Sequence, residues 1–347
     1  MTNNKLRVVQ WATGTVGKSA MQAIIGHPGL ELVGVRVFSE AKVGLDAGDL
    51  CGLPPTGVLA SQDLEAMLAL KPDCVVYMPL ATDLDDVCRI LASGANIVTT
   101  RAEFFNPAHM PQDQRERVEA ACQAGQTTIH ASGSSPGFIT EALPLVLFSL
   151  QRRLDLLTIE EFADCIDGCS DDMLTTIMGF GESPETFAAR QYPDRDTVFA
   201  ASLAALGEAI GMPIDCFESH DEVAVTRSAA KLNNTSIEAG SVGGQRHTVT
   251  GLHKGKPVLR FTSNWYVTRD LDPKWELRED GWRVLVEGDT PLEISISYPI
   301  PENAEQRQII LPRLTAHRPV NAIPAVCAAK PGITTTAMLP QVIARLG

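Results

Sequence analysis

Leu6-Arg7-Val8-Val9-Gln10-Trp11-Ala12-Thr13-Gly14-Thr15-Val16-Gly17 is the stretch that decides the fold. It joins a short apolar strand over 6–10 to a segment of helical spacing over 16–25. Between them lies a G-x-G-x-x-G fingerprint with Ala12 in the first glycine position. Such a turn brings backbone N–H groups and the positive end of a helix to a diphosphate. A glycine-rich turn alone could be purely structural, but its place between strand and helix predicts a dinucleotide-binding unit.

Strand and helix alternate along the rest of the first 150 residues. Further strands are predicted at 31–38, 74–78, 96–100 and 127–130, with helices at 61–70, 84–92 and 112–124. Near-continuous apolar strands separated by helices are typical of a parallel sheet buried on both faces. The pattern therefore predicts an α/β fold in which residues 1–150 form a doubly wound Rossmann domain.

Beyond Leu150 the pattern changes to alternating apolar and polar residues with short turns. Strands are predicted at 156–162, 223–226, 247–252, 258–262, 282–286 and 293–298, with a helix at 197–210. This pattern favours a mainly antiparallel sheet. We predict an α+β domain over 151–314 that binds substrate and forms a homodimer contact. Helical spacing returns at 320–329 and 339–346, so the segment from about 315 to 347 is expected to pack on the first domain.

Composition narrows the class of protein. The 347 residues carry 29 Lys and Arg against 42 Asp and Glu, a net charge of −13, and 5% of them are aromatic. Nucleic-acid binding needs concentrated basic residues and stacking platforms, so the composition argues against it. No run of 18 apolar residues and no signal peptide occurs, which predicts a cytoplasmic chain without a membrane span. Eight scattered cysteines without a Cys-x-x-Cys pair predict reduced thiols and no metal site.

The end of the second strand is expected to choose between NAD and NADP. NAD sites usually carry an acid there that binds the ribose 2′-hydroxyl. Here Ser39 and Lys42 are positioned to bind a 2′-phosphate, with Arg36 as a helper. Glu40 argues for NAD, since a small register shift would make it the ribose acid, and Lys42 could be an ordinary surface lysine. The balance favours NADP, with NAD as the other possibility.

Three loops should lie at the ligand-binding edge, because ligands of a Rossmann sheet bind beyond the carboxyl ends of its strands. They are, in chain order, Pro79-Leu80-Ala81-Thr82, Arg101-Ala102-Glu103-Phe104-Phe105 and Ala131-Ser132-Gly133-Ser134-Ser135-Pro136-Gly137-Phe138. The first loop is expected at the adenosine ribose and the other two at the nicotinamide. The predicted cofactor contacts in these loops and at the strand ends before them are Met78, Pro79, Leu80, Thr100 and Ser135.

Glu103 is the candidate catalytic residue of the second loop. It precedes Phe104 and Phe105, and partial desolvation by these rings would raise its pKa towards the range useful for proton transfer. By sequence alone, an exposed loop glutamate is the favoured alternative.

Four motifs together resemble the 2,4-diaminopentanoate dehydrogenase family, whose relatives are the native amine dehydrogenases and, more distantly, the N-terminal domain of dihydrodipicolinate reductase. They are Ala12-Thr13-Gly14-Thr15-Val16-Gly17, Thr99-Thr100-Arg101-Ala102-Glu103, Ser132-Gly133-Ser134-Ser135-Pro136-Gly137-Phe138 and Val320-Asn321-Ala322-Ile323-Pro324. In the third motif, Ser135 replaces the asparagine of the family.

The resemblance implies reversible NAD(P)-dependent deamination of a primary amine. In the reductive direction, ammonia and a carbonyl compound form an imine that takes a hydride. The catalytic glutamate of the family falls on Glu103, whose anion would bind the ammonium or iminium, stabilise its charge and move its protons. The expected partners are a small amine or carbonyl compound and ammonia.

For several other candidate site residues, an ordinary structural role is an equally simple interpretation of the sequence. Asn321 is a candidate for the nicotinamide carboxamide. An apolar substrate cavity could be lined by Phe138, Phe180, Trp265 and Tyr266, all of which would also suit a core. His317 could face the site or lie on the surface. An acidic run could attract a cationic amine or be a solvated loop; it contains Asp164, Asp167, Asp171 and Asp172.

Two competing functions remain open. One is reduction of a cyclic imine by an enzyme of the dihydrodipicolinate reductase type, although the His-His-Arg/Lys-x-Lys-x-Asp-like segment of that type does not occur here. The other is a sensor that binds NADP(H) without chemistry.

Overall fold

A computed structural model describes residues 5–166, 168–189, 195–299 and 304–346. The chain divides into two compact units. One comprises residues 1–142 and 312–347, and the other residues 143–311. No helix within the described ranges is long and apolar enough to cross a membrane.

The strands and helices of the first 142 residues alternate. They are β1 (Leu6–Trp11), α1 (Thr15–Gly26), β2 (Leu30–Arg36), α2 (Ala47–Cys51), β3 (Ala60–Ser61), α3 (Leu64–Ala69), β4 (Cys74–Tyr77), α4 (Leu84–Ala92), β5 (Asn96–Thr99), α5 (Gln112–Gly125) and β6 (Thr128–Ala131). Short 3-10 turns cover Glu40–Lys42, Ala102–Phe104 and Pro107–His109.

The second unit is dominated by strands. Its elements are α6 (Leu143–Phe148), β7 (Leu154–Asp164), α7 (Pro184–Ala189), α8 (Arg195–Ala209), β8 (Cys216–Thr226), β9 (Ala230–Lys231), β10 (Ser236–Ile237), β11 (Val242–His253), β12 (Lys256–Tyr266), β13 (Leu271–Asp272), β14 (Gly281–Gly288) and β15 (Leu292–Ser297). The chain ends with α9 (Ala304–Cys327), β16 (Gly332–Thr334) and a 3-10 turn at Thr336–Met338.

The sheet of the first unit has seven strands in the order β16-β6-β5-β4-β1-β2-β3. All of its pairs are parallel. Val8 and Val76, in the adjacent strands β1 and β4, are completely buried, as expected for a sheet covered on both faces. The predicted doubly wound parallel sheet is confirmed. Its topological switch point lies where β1 pairs with β2 on one side and β4 on the other, and ligands bind at such a point.

The C-terminal segment differs from the sequence prediction in two ways. Helix α9 begins at Ala304, well before the predicted helix at 320–329, because three prolines inside it hide its helical pattern. Four of its buried residues lie at helical spacing and pack in one cluster with Val8, Val76 and Val98; they are Ala316, Val320, Ile323 and Val326. The predicted helix at 339–346 was wrong. That stretch has no regular structure. Leu339 and Val342 pack in the core, but Ile343 and Leu346 are 74% and 92% exposed, so the stretch buries no continuous apolar helix face.

The sheet of the second unit has seven strands in the order β13-β8-β11-β12-β7-β14-β15. Only the pair β12–β7 is parallel among those described, which confirms a mainly antiparallel sheet. One face is apolar, and Phe199 of α8 stacks on Phe261 of β12 with ring centroids 4.0 Å apart. The opposite face carries paired charges, such as Arg283 between Glu160 and Glu293.

Candidate functional site

The turn after β1 is held in an unusual backbone conformation. Ala12 occupies the first glycine position of the fingerprint and has φ +75°, in the left-handed region. That conformation costs a residue with a Cβ about 1–2 kcal/mol. Two hydrogen bonds hold it in place. The Ala12 N–H donates to Arg36 O at 2.9 Å, and the buried Gln10 Nε2 donates to Ala12 O at 2.8 Å.

The two glycines of the turn have different steric surroundings. A Cβ at Gly17 would lie 2.4 Å from Ala12 O, so only glycine allows α1 to pack this close to the turn. A Cβ at Gly14 would have no heavy atom within 4 Å. Gly14 is the N-cap of α1, and no described side chain caps this helix end. Open space in front of free N–H groups at a helix N-terminus fits a diphosphate.

Residues at the end of β2 and in the 3-10 turn after it lie near the phosphate-binding turn. Lys42 Nζ donates to Thr13 O at 3.2 Å and to Thr13 Oγ1 at 3.1 Å. The Arg36 guanidinium lies 5.3 Å from the ring centroids of both Trp11 and Phe38. The structure thus brings two of the three predicted phosphate-binding residues to the turn or its flank. The remaining candidate, Ser39, is exposed, as is the competing acid at position 40.

The loop after β4 presents an exposed leucine at the same sheet edge. Met78 continues β4, and its N–H donates to Trp11 O at 3.0 Å. Leu80 is 87% exposed, whereas its carbonyl accepts a hydrogen bond from Arg101 Nη1 at 2.7 Å. A large apolar side chain held at a ligand-binding edge is a candidate ligand contact.

Glu103 lies just beyond the carboxyl end of β5, in the 3-10 turn Ala102–Phe104. Its Oε1 accepts hydrogen bonds from Arg101 Nη2 at 2.8 Å and from Thr82 Oγ1 at 3.0 Å. The Arg101 Nε also donates to Thr82 Oγ1 at 2.9 Å. The side chains of Arg101 and Glu103 are 27% and 37% exposed. The three residues form a half-buried polar cluster, which we call the Glu103 cluster.

The expected direction of the Glu103 pKa was wrong. Burial of the carboxyl group does raise its pKa, but hydrogen bonds from Arg101, from its own backbone N–H and from Thr82 outweigh burial, so the pKa lies below the usual range of glutamate. Phe104 and Phe105, which follow Glu103, are 1% and 2% exposed. Glu103 is therefore an anion at neutral pH.

The loop after β6 is tied to β5 and to α9. The Ser132 N–H donates to Thr99 O at 2.9 Å, and the hydroxyls of Ser134 and Thr315 lie 2.8 Å apart. Gly137 has φ +118°, and a Cβ there would lie 3.0 Å from Ser132 Oγ. The Ser135 hydroxyl is buried without a hydrogen-bond partner in the described structure, so it is available to a ligand.

The other predicted residues of the first unit lie in two elements. Asn321 is half-buried in α9, between two residues that pack in the core, Val320 and Ala322. His317 lies inside α9 rather than before it and is an exposed residue. Phe138 is half-buried in the irregular segment that follows β6.

The predicted aromatic residues of the second unit differ in environment. Phe180 is 1% exposed and packs in a core cluster, so the core alternative describes it. Trp265 is half-buried and its indole N–H donates to Glu161 Oε1 at 2.9 Å. The N–H of Trp282 donates to the other oxygen of Glu161 at 2.7 Å. The buried Tyr266 donates its hydroxyl to Asp280 at 2.8 Å.

The described part of the acidic run is structural. Asp171 accepts the N–H groups of Asn233 and Asn234 at 3.0 and 2.7 Å, and Asp164 accepts the N–H of Ile166 at 3.1 Å. Asp167 lies outside the described residues. No group of three described His, Cys, Asp or Glu residues is arranged to hold a metal ion.

Sequence reasoning missed the partners of Glu103. Arg101 and Thr82 were not predicted as its partners, although both follow strands of one parallel sheet. Thr82 and Glu103 are 21 positions apart, and the pairing of Tyr77 with Thr99 brings their loops to the same edge of the sheet. The signal available in the sequence was the charge of Arg101, two residues before Glu103, which could have indicated an ion pair.

Comparisons with known proteins agree on the family. The model of the 2,4-diaminopentanoate dehydrogenase C-terminal domain matches residues 159–347, and that of the dihydrodipicolinate reductase N-terminus matches residues 8–100. An amine dehydrogenase of Streptomyces virginiae is 29% identical over 357 aligned residues, which cover 99% of each chain. A 4-hydroxy-tetrahydrodipicolinate reductase of Rhodopseudomonas palustris (strain BisB18) is 41% identical over 244 residues, 70% of this chain and 79% of that one.

The fold is also that of a solved structure. The amine dehydrogenase from Mycobacterium smegmatis superimposes with a TM-score of 0.81 at 23% identity, covering 98% of this chain and 97% of that chain. Together with the dinucleotide-binding turn, these matches show that the chain is an NAD(P)-dependent oxidoreductase that belongs to the 2,4-diaminopentanoate dehydrogenase family.

Proposed function

We propose that the chain is an NAD(P)H-dependent amine dehydrogenase that converts small aliphatic or cyclic ketones and aldehydes, with ammonia, into primary amines and back. The observation that carries this proposal is the ionised Glu103 at the same sheet edge as the phosphate-binding turn. The full-length similarity to an amine dehydrogenase supports it.

The first unit has residues suited to hold the dinucleotide. The backbone of residues 12–17 fits the diphosphate, since the space at Gly14 is open and the helix end is uncapped. The ribose and nicotinamide contacts would come from Met78, Pro79, Leu80, Thr100, Ser135 and Asn321. The bound nicotinamide supplies or accepts the hydride at the substrate carbon.

Glu103 would act as the anion at the substrate nitrogen. An ionised carboxylate binds ammonium and stabilises the positive charge of an iminium. In the reductive direction, one carbonyl, one ammonium, one hydride and one proton give one alkylammonium and one water. Glu103 would accept the proton that the nitrogen loses during imine formation and return it when the amine forms.

NADP is our preferred cofactor. Lys42 is held against Thr13 at 3.1–3.2 Å, so a cation is fixed beside the phosphate-binding turn, and Arg36 lies over Trp11 at the end of β2. Both would attract a 2′-phosphate. Glu40 keeps NAD as the alternative.

The second unit would provide the substrate pocket and the homodimer contact, with Trp265 as its half-buried aromatic candidate. Phe138 and His317 are the candidate substrate contacts of the first unit. A cytoplasmic location is supported by the eight cysteines, all of which are free.

The test is a screen of NADPH and NADH oxidation with small carbonyl compounds, including cyclohexanone and pentanal, with and without ammonium chloride. We expect consumption that requires ammonium. Glu103→Gln should lower it by ~100-fold or more if Glu103 handles protons. The matched control is Glu65→Gln, which makes the same chemical change in the exposed ion pair with Arg89 and should leave turnover intact. Full activity of Glu103→Gln would contradict the assigned role.

A second candidate is an imine or enamine reductase of the dihydrodipicolinate reductase type, which the match over residues 8–100 favours. It predicts NADPH consumption with an imine or carbonyl compound that does not depend on ammonium. A non-catalytic NADP(H) sensor predicts tight cofactor binding without consumption in either arm of the screen.

A further inference from the structure

Arg101 ties together two loops at the ligand-binding edge of the first sheet. Its guanidinium donates from Nε to Thr82 Oγ1 at 2.9 Å, from Nη1 to Leu80 O at 2.7 Å and from Nη2 to Glu103 Oε1 at 2.8 Å. Three nitrogens of one planar guanidinium thus donate to three different residues. A lysine, with a single point charge, could not reproduce this pattern.

The backbone of Arg101 is fixed as well. Its N–H donates to Thr99 Oγ1 at 3.0 Å, and this buried hydroxyl donates to Tyr77 O at 2.7 Å. Thr99 and Tyr77 are paired across β5 and β4. The guanidinium therefore extends from the end of β5, which is hydrogen-bonded to β4. Because the Arg101 backbone is already fixed, less conformational entropy is lost when a substrate binds.

Both side-chain hydrogen bonds to Glu103 end on Oε1, so neither uses Oε2. We propose that Arg101 is a positioning residue for the proposed reaction: it keeps Glu103 ionised and oriented so that Oε2 is offered to the nitrogen of the amine. This inference rests on the proposed function of Glu103. It names a residue that acts through Glu103 rather than on the substrate.

The charges around the cluster support this assignment. The side-chain donors to Glu103 are Arg101, which is cationic, and Thr82, which does not titrate in this range. Tyr77 stays neutral, because burial raises its pKa to about 12. On α4, burial and the neighbouring Asp83 raise the pKa of Asp86. Without Arg101, the burial that raises the pKa of Glu103 would be left with weaker compensation.

The experiment titrates Glu103 directly in the full-length protein. Glutamate is labelled with carbon-13 at Cδ, and the resonance that disappears in Glu103→Gln identifies Glu103. We expect the midpoint of Arg101→Met to rise by about 1–3 pH units. The midpoint of Glu103 should rise less in Arg101→Lys and least in Thr82→Val. Arg117→Met removes an exposed arginine paired with Asp85 and should leave the midpoint unchanged.

Activity supplies the second readout. Activity is measured with the carbonyl compound that shows the highest ammonium-dependent turnover in the screen. In Arg101→Met, the acid limb of the pH profile of kcat/KM should move to higher pH in parallel with the titration midpoint. In Arg101→Lys, this shift should be smaller. If Glu103→Gln retains turnover, the proposed role of Glu103 fails, and the role of Arg101 fails with it. If Glu103→Gln is inactive but the midpoint and the acid limb of Arg101→Met are unchanged, only the inference about Arg101 is overturned.

Discussion

Lys42 is bound to the phosphate-binding turn through Thr13, whose carbonyl and hydroxyl oxygens accept its Nζ at 3.2 and 3.1 Å. The two residues are 29 positions apart, in the turn after β1 and in the 3-10 turn after β2. The contact fixes a positive charge beside the open space at Gly14. This geometry makes the cofactor preference testable.

We expect Lys42→Ala to lose preference for NADPH over NADH. A lost charged hydrogen bond costs about 1.5–3 kcal/mol, so the ratio of the two Kd values should change by about 10- to 150-fold. Fluorescence titration with each cofactor measures this ratio. Lys256→Ala, which removes an exposed lysine of the second unit, is the control. An unchanged ratio would mean that Lys42 does not read the 2′-phosphate.

The two glycines of the turn should respond differently to alanine. Gly17→Ala places a methyl group 2.4 Å from Ala12 O, so overpacking should lower the free energy of unfolding by about 1–3 kcal/mol and weaken cofactor binding. Gly14→Ala meets no heavy atom within 4 Å and has φ −72°, so Tm should hold while the methyl group obstructs the diphosphate. Thermal melts and NADPH titrations separate the two effects. Equal losses of Tm would contradict the assignment.

His130 should make stability depend on pH. Complete burial lowers its pKa from 6.5 to about 4, while its Nδ1 lies 3.0 Å from Thr334 O. Between pH 6.5 and 4 the unfolded chain binds a proton at His130 more strongly than the folded chain does. The contribution of His130 to stability is therefore fully present above pH 6.5 and is lost as the pH falls towards 4. The free energy of unfolding should fall by at most about 3 kcal/mol over this range.

Urea unfolding at pH 7, 6, 5 and 4.5 tests this dependence. His130→Gln should flatten the fall in the free energy of unfolding over this range, even if its stability at pH 7 is lower. Parallel curves for the two proteins would show that His130 does not contribute.

Thiol modification should be selective for one cysteine. Cys216 is exposed, whereas burial raises the thiol pKa of Cys74 and Cys165 well above the usual range. Because the thiolate is the reactive form, iodoacetamide should label Cys216 first in the folded protein. Mass spectrometry of the wild type and of Cys216→Ser checks this order, and early labelling of Cys74 would contradict the described burial.

The residue pattern was sufficient for most local structure of the first unit. Helix α4 was predicted with its observed bounds, Leu84–Ala92, because Asp83 caps its N-terminus and Ser93-Gly94 follow it. The phosphate-binding turn was also readable, even with Ala12 in a glycine position. These features depend on neighbours within a few residues, so the sequence contains the whole signal.

Contacts between segments far apart in the sequence could not be predicted from the local residue pattern. The pKa of Glu103 depends on Arg101 and on Thr82, and Thr82 lies near Glu103 because β4 pairs with β5. The length of α9 depends on packing against Val8 and Val76, which overrides its internal prolines. Periodicity and capping act locally and so determined the class of fold and the cofactor turn. The charge state of Glu103 and the end of the chain were decided by long-range packing and hydrogen bonding, which exist only after the strands have paired.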